Sequence, residues 1–165
     1  MDSIEQSDFI NIAVDLQTNR KYLQIAKELE IQGKKRIILD REDKSPYLIR
    51  YYYLNFRPLA RIVIHQFMSS DIDGLHDHPW PFQNYILSGG YWEHTVKGKF
   101  WREPGYHGSV NASFLHRVEL DSEKSNNEEV WTLFMMGPKE KSWGFLDNGN
   151  WVQHEIYLEN RLKEL

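Results

Sequence analysis

The sequence predicts a mainly β domain, an antiparallel sandwich or barrel, preceded by helices. Two observations predict it. Short β-prone segments recur after residue 34 with turn residues between them, which is typical of sandwiches and barrels. Aromatic residues make up 14% of the 165 residues, and they favour strands around an aromatic interior. We expect a helical extension over residues 1–34 and one β domain over residues 35–165.

The helical prediction depends on residues 7 to about 32. Apolar side chains recur there at helical spacing after residues of N-cap type. Thr18 and Asn19 interrupt the pattern, and Gly33 is placed as a helix terminator. We expect these helices to pack on the outside of the β domain.

The apolar period changes to that of strands after Gly33. Segments 36–40 and 47–54 flank a polar turn, which predicts a hairpin. The next predicted strand is 61–68, in which Val63, His65 and Phe67 share one face. If that face points inward, His65 lines a cavity; a surface or hydrogen-bonded interior position is the alternative.

Composition excludes several classes of function. The chain has no cysteine, so disulfides, thiolate metal sites and cysteine nucleophiles are excluded, and a metal must be held by nitrogen and oxygen atoms. A net charge of −4 is atypical of a nucleic-acid-binding protein. No signal-peptide pattern and no membrane-length apolar run occur. We therefore expect a cytoplasmic protein with neither a nucleic-acid nor a membrane partner.

Histidines supply the candidate chemistry. His76 and His78 are two residues apart, so on a strand their rings project to the same face and can chelate one ion. A polar surface hairpin is the alternative for this pair. His116 is the third candidate, with a hydrogen-bonded core histidine as the alternative.

The spacing around these histidines resembles the two signature motifs of the cupin superfamily. The first motif is matched by an HxH pair followed by Gln83 and Gly90, and the second by Gly105 and then His116. The string Leu75-His76-Asp77-His78-Pro79-Trp80 is similar to a group of small, largely uncharacterised cupin-like proteins. The resemblance implies a single cupin-type antiparallel β-barrel, also called a jelly roll or double-stranded β-helix.

The resemblance also implies a site and a class of reaction. His76, His78 and His116 would hold a divalent transition metal, with Fe(II) preferred and Zn, Mn or Ni as alternatives. The partner would be a small-molecule substrate or ligand, and sheet-edge pairing suggests a homodimer. Oxidative, dioxygenase-like chemistry comes first, isomerase or lyase chemistry next, and a non-catalytic binding module or a metal-free structural domain remain as alternatives.

Gln83 stands where the family pattern has an acidic ligand. We expect it either to ligate the metal or to hydrogen-bond a bound water or substrate, and it is a candidate catalytic residue. A site without a carboxylate ligand would be more electrophilic and would attract an anionic substrate or hydroxide.

Further candidates surround this predicted centre. Glu93 is a candidate catalytic base, with a surface salt bridge as the alternative. Asp77 either accepts a ring N–H from a ligand histidine or stabilises a turn. Besides His65, the predicted substrate pocket contains three aromatic residues, Tyr85, Tyr91 and Trp131.

Overall fold

The computed structural model describes residues 5–164, which form a mainly β fold of antiparallel strands with helices at both ends. The helices are α1 (Gln6–Gln17), α2 (Lys21–Ile31) and α3 (His154–Glu164). The strands are β1 (Lys35–Leu39), β2 (Pro46–Phe56), β3 (Ala60–Phe67), β4 (Phe82–Ser88), β5 (Tyr91–Thr95), β6 (Gly98–Arg102), β7 (His107–Val110), β8 (His116–Glu119), β9 (Val130–Met136), β10 (Gly144–Asp147) and β11 (Asn150–Gln153).

The strands form two facing layers. One is a six-stranded sheet in the order β1-β2-β3-β9-β4-β7, and the other contains β6-β5-β8 and the hairpin β10-β11. His76 joins these last two groups through isolated bridges to His116 and Phe145. The predicted mainly β, antiparallel fold is confirmed, although the sheets do not close into a continuous barrel.

The N-terminal helices pack on the outer face of the six-stranded sheet. Their buried residues form one core with side chains of β2, β3, β4 and β9: Phe9, Ala13, Leu16, Tyr22, Ala26, Leu29, Tyr51, Ile62, Ile64, Tyr85, Leu87, Trp131 and Leu133. Because strand residues alternate between faces, this core leaves the other face of the sheet to line the space between the layers.

Two local predictions about the helices are confirmed. Asn19 and Arg20 adopt left-handed conformations, with φ of 52° and 54°, and separate α1 from α2. Gly33 has a φ of 73°, and the N–H of Lys34 donates to the carbonyl of Leu29 at 2.8 Å, which closes the end of α2. The predicted hairpin is the antiparallel pair β1 and β2.

The C-terminal helix α3 was not predicted. The sequence has no strong apolar stripe in this segment, and none of the residues of α3 is buried. It packs beside β10, where Tyr157 stacks on Phe145 with ring centroids 4.1 Å apart. No helix within residues 5–164 combines the length and apolar character needed to span a membrane.

Candidate metal centre

Three histidine side chains converge between the two layers. His76 and His116 exchange a pair of backbone hydrogen bonds of 2.9 Å, and His78 follows two residues after His76. One ring nitrogen of each histidine lies within 4.8 Å of the others, and the ring centroids are 5.1 to 5.3 Å apart. The i, i+2 spacing of the first pair and the bridge to β8 thus bring the three predicted ligands together.

The surroundings of the first two histidines keep the rings neutral. Burial lowers the pKa of His76 to about 4, even though the nearby carboxylate of Asp71 acts in the opposite direction. Burial and the neighbouring imidazoles hold the pKa of His78 well below its usual value. Neutral imidazole is the form that binds metal ions, so these residues are ready for ligation near neutral pH.

Glu93 fixes the third histidine. Its Oε2 lies 2.8 Å from Nδ1 of His116, and its Oε1 accepts a 3.0 Å hydrogen bond from Nε of Arg102. Burial raises the pKa of Glu93, but the hydrogen bonds from His116 and Arg102 outweigh it, and the net pKa is lowered. When the carboxylate accepts a hydrogen bond from the N–H at Nδ1, Nε2 of His116 is left available as a metal ligand.

The position of Glu93 differs from both predicted alternatives. Its side chain is only 4% exposed, so its salt bridge with Arg102 is buried rather than on the surface. It contacts the back of a candidate ligand instead of acting as a base in the cavity. Glu93 is therefore a positioning residue for His116.

The residues present fit a metal ion. Within the described part of the chain, Nδ1 of His78 is buried and has no hydrogen-bond partner. An unsatisfied buried polar atom costs about 1–3 kcal/mol, which a bound ligand would offset. Three imidazole nitrogens with no thiolate suit Fe(II), Zn, Ni, Cu or Mn, and they leave coordination positions open for other ligands.

The histidines line a cavity of about 90 Å³. Its walls are largely aromatic, from Phe67, Trp80, Phe82, Tyr91 and Phe134, and its polar groups include Tyr47, Arg50, His65, Asp71, Asn84 and Thr132. His65 and Tyr91 line this cavity, and their contact with a substrate stays a prediction. Asn84, which donates to the hydroxyl of Tyr91 at 2.8 Å, was not foreseen.

Gln83 does not face the histidines, which corrects its prediction as a metal ligand or catalytic residue. Its Oε1 lies 2.9 Å from Nε2 of His107 on the neighbouring strand β7. The adjacent residues Phe82 and Asn84 line the cavity instead. Since side chains alternate along β4, the residue between these two points to the opposite face.

Two of the predicted pocket aromatics are also on that opposite face. The hydroxyl of Tyr85 donates to Gln17 of α1 at 2.9 Å. Trp131 packs against Tyr22 and Tyr51, with ring centroids 5.5 and 5.8 Å away. Tyr85 and Trp131 belong to the core beneath the helices, and the prediction that they line the substrate pocket is wrong.

Asp77 is an anchor for the C-terminal hairpin. Its carboxylate accepts hydrogen bonds from the N–H of Gly144 at 2.8 Å, from Lys141 at 2.6 Å and from Nε1 of Trp151 at 2.9 Å. None of its partners is a histidine, so the expected bond to a ligand ring is not formed. Because Asp77 lies between His76 and His78, its hydrogen bond to Gly144 of β10 holds the backbone that carries both rings.

Asp71 lies in the loop that precedes His76. It is buried and lines the cavity. Its carboxylate accepts hydrogen bonds from the hydroxyl of Tyr47 and from the N–H of Val118, the latter at 2.7 Å. Asp71 thereby connects the loop before His76 to strand β8, which carries His116.

A second, larger groove of about 470 Å³ is open to solvent elsewhere on the surface. It lies between the α1–α2 junction, the ends of β4 and β6 and the loop around residues 124–128. No histidine lines it. The smaller cavity is the candidate site because it alone of the two contains the candidate ligands.

The chain thus has a cupin-like fold with a candidate three-histidine metal centre. Known protein families give no match to this chain, and neither do the curated proteins.

Solved structures do share its fold. The polyketide cyclase RemF from Streptomyces resistomycificus has a TM-score of 0.53 and 12% identity, over 77% of this chain and 89% of that one. The DMSP lyase DddQ from Ruegeria pomeroyi DSS-3 has a TM-score of 0.50 and 12% identity, over 66% and 56%. FeII HppE has a TM-score of 0.50 and 10% identity, over 63% and 57%, so the match spans little more than half of the HppE chain. At these identities the likeness establishes the fold alone.

Proposed function

We propose that the protein binds one divalent transition-metal ion through His76, His78 and His116 and uses it to act on a small molecule. The observation that carries this proposal is the convergence of three imidazoles, two of them held neutral by burial, in one internal cavity. No carboxylate belongs to this cluster of candidate ligands, so the positive charge of the ion would not be cancelled by its own ligands.

The remaining residues have distinct tasks. Glu93 orients His116, and aromatic side chains form most of the cavity wall. A divalent ion bound there would supply Lewis acidity, and Fe(II) would add redox chemistry. Fe(II) is our preferred ion because an HppE structure with this fold contains it, and Zn, Mn and Ni are alternatives. We place oxidative chemistry first because the sequence resembles the cupin motifs, and lyase or isomerase chemistry second, since a DMSP lyase shares the fold.

A non-catalytic metal-binding module is the second candidate. The observation that favours it is the size of the cavity, about 90 Å³, against roughly 300–1,000 Å³ for common ligand pockets. Oxygen uptake by the Fe(II)-loaded protein with small acids and phenols separates the two candidates, since turnover supports the enzyme.

Both candidate functions require a bound metal ion, and the metal content of three purified proteins tests that requirement. We expect about one ion per chain in the wild type and a near-complete loss in His78→Ala, because the site has three protein ligands and this variant removes one of them. Gln83→Ala is the matched control: Gln83 lies in β4, the next strand along the chain, and faces away from the cavity, so this variant should retain the ion. Elemental mass spectrometry measures all three.

Equal metal content in the wild type and His78→Ala, or no metal in the wild type after reconstitution with Fe(II) or Zn(II), would refute the proposed function. Circular dichroism of each variant shows whether a loss of metal accompanies a loss of fold.

A further inference from the structure

Arg50 brings a positive charge into the candidate metal cavity. It lies on β2, directly opposite His65 of β3 in the sheet register, and its half-buried side chain lines the same cavity as the three histidines. Its Nε donates to Nε2 of His65 at 3.1 Å. The guanidinium is thus tethered at one nitrogen.

No carboxylate within residues 5–164 forms an ion pair with Arg50. Burial raises the pKa of the Tyr52 phenol on the same strand, but the nearby Arg50 and Arg36 outweigh this effect, and the net pKa is lowered. Among the described residues, Asp71 is the one carboxylate that lines the cavity, and it already accepts hydrogen bonds from Tyr47 and Val118. A guanidinium in a largely apolar cavity without an acidic partner is costly unless a ligand supplies the negative charge.

His65 is suited to orient this guanidinium. Burial lowers the pKa of His65 well below its usual value, and the charge of Arg50 lowers it further, so the ring is neutral. A neutral Nε2 accepts the hydrogen bond from Nε of Arg50. That bond leaves the terminal nitrogens of the guanidinium to bind a planar anion, for which arginine is well matched.

The charges of the cavity point to the same class of ligand. The positive charges of a divalent ion and of Arg50 together exceed the single negative charge of Asp71, and the charge of Glu93 is already offset by Arg102. The loaded cavity would therefore carry a net positive charge and attract an anion. The volume of about 90 Å³ restricts the ligand to a few heavy atoms.

We propose that Arg50, oriented by His65, binds the carboxylate of a small substrate whose other end lies at the three-histidine centre. The inference rests on the proposed function, because it places that substrate beside the metal. It names the substrate class as small carboxylates rather than neutral alcohols or amides.

Calorimetric titration of the Zn(II)-loaded protein tests the proposal, after metal content has been verified for each sample. The probes are acetate and lactate, their neutral counterparts acetamide and propane-1,2-diol, and inorganic phosphate. We expect a carboxylate to bind more tightly than its neutral counterpart, and Arg50→Gln to weaken it at least about tenfold, as expected for a lost charge-assisted hydrogen bond. Arg57→Gln, an exposed arginine in the turn after β2, is the control for the change in charge and should bind like the wild type.

The outcomes separate the two proposals. Equal binding of each carboxylate by the metal-loaded wild type and Arg50→Gln would overturn the inference, and so would a failure of both proteins to bind any carboxylate. Neither result would affect the metal site. Tighter binding of phosphate than of either carboxylate would overturn the assigned substrate class. A wild type without metal would refute the proposed function, and the inference with it. Metal retained by Arg50→Gln shows that weaker binding does not come from a lost ion.

Discussion

Replacing Glu93 by Gln is expected to weaken metal binding about 10–100-fold, the usual effect of removing a carboxylate that orients a histidine ligand. The carboxylate contacts Nδ1 of His116 at 2.8 Å and Nε of Arg102 at 3.0 Å. A glutamine side chain has one acceptor oxygen and one donor group, so it cannot satisfy both donors. Competition with a chromophoric chelator measures the change in affinity.

Glu119→Gln is the matched control for this experiment. Glu119 lies on the same strand as His116, but it pairs at the surface with Lys99 and His94 and does not touch the histidine centre. Partly exposed pairs of this kind contribute about 0–1 kcal/mol. An unchanged metal affinity in Glu93→Gln, or an equal loss in Glu119→Gln, would contradict the role assigned to Glu93.

Asp77→Asn is expected to lower the free energy of unfolding by about 1–3 kcal/mol, the range found when buried donors lose their acceptor. Asp77 is only 2% exposed and accepts from three donors, including the ammonium of Lys141. The amide group of an asparagine would place its own N–H groups against those donors. Urea denaturation of the metal-free protein measures the change.

The control for this second variant is Asp147→Asn, an exposed aspartate at the end of β10. Its replacement should change the free energy of unfolding by less than about 0.5 kcal/mol. A similarly small change in Asp77→Asn would show that the hairpin β10–β11 does not depend on the buried carboxylate.

Local patterns predicted much of the fold and the candidate ligands. The break at Thr18 and Asn19, the terminator at Gly33 and the hairpin over 36–54 each depend on residues adjacent in sequence, and each is present. The i, i+2 spacing of His76 and His78 likewise fixed a common face. Placing His116 beside them needed the motif spacing, because a separation of about 40 residues carries no local geometric signal.

Which face of a strand meets the cavity could not be predicted from the sequence. β4 is covered on one side by helix α1 and on the other by the second layer, so both its faces are largely buried. The motif spacing points to Gln83. A shift of one residue along a strand moves the side chain to the opposite face of the sheet, and it is Asn84 that lines the cavity. Tyr85 and Trp131 were assigned to the pocket for the same reason: aromatic character does not reveal on which side of the sheet a residue lies.

Other roles depend on partners distant in sequence. Glu93 acquires its role from His116 and Arg102, and Asp77 from residues 141–151. Arg50 looks like an ordinary strand arginine until the register places it opposite His65. These contacts arise only once the two layers face each other, so no local pattern could have indicated them.

X-ray absorption spectroscopy of the Zn(II)-loaded protein counts the histidine ligands of the ion. We predict about three imidazole nitrogens at about 2.0–2.1 Å from the zinc. In His78→Ala, any residual bound zinc should show one imidazole fewer. A zinc shell made only of oxygen atoms, or an unchanged imidazole count in His78→Ala, would contradict the assignment of the three-histidine centre.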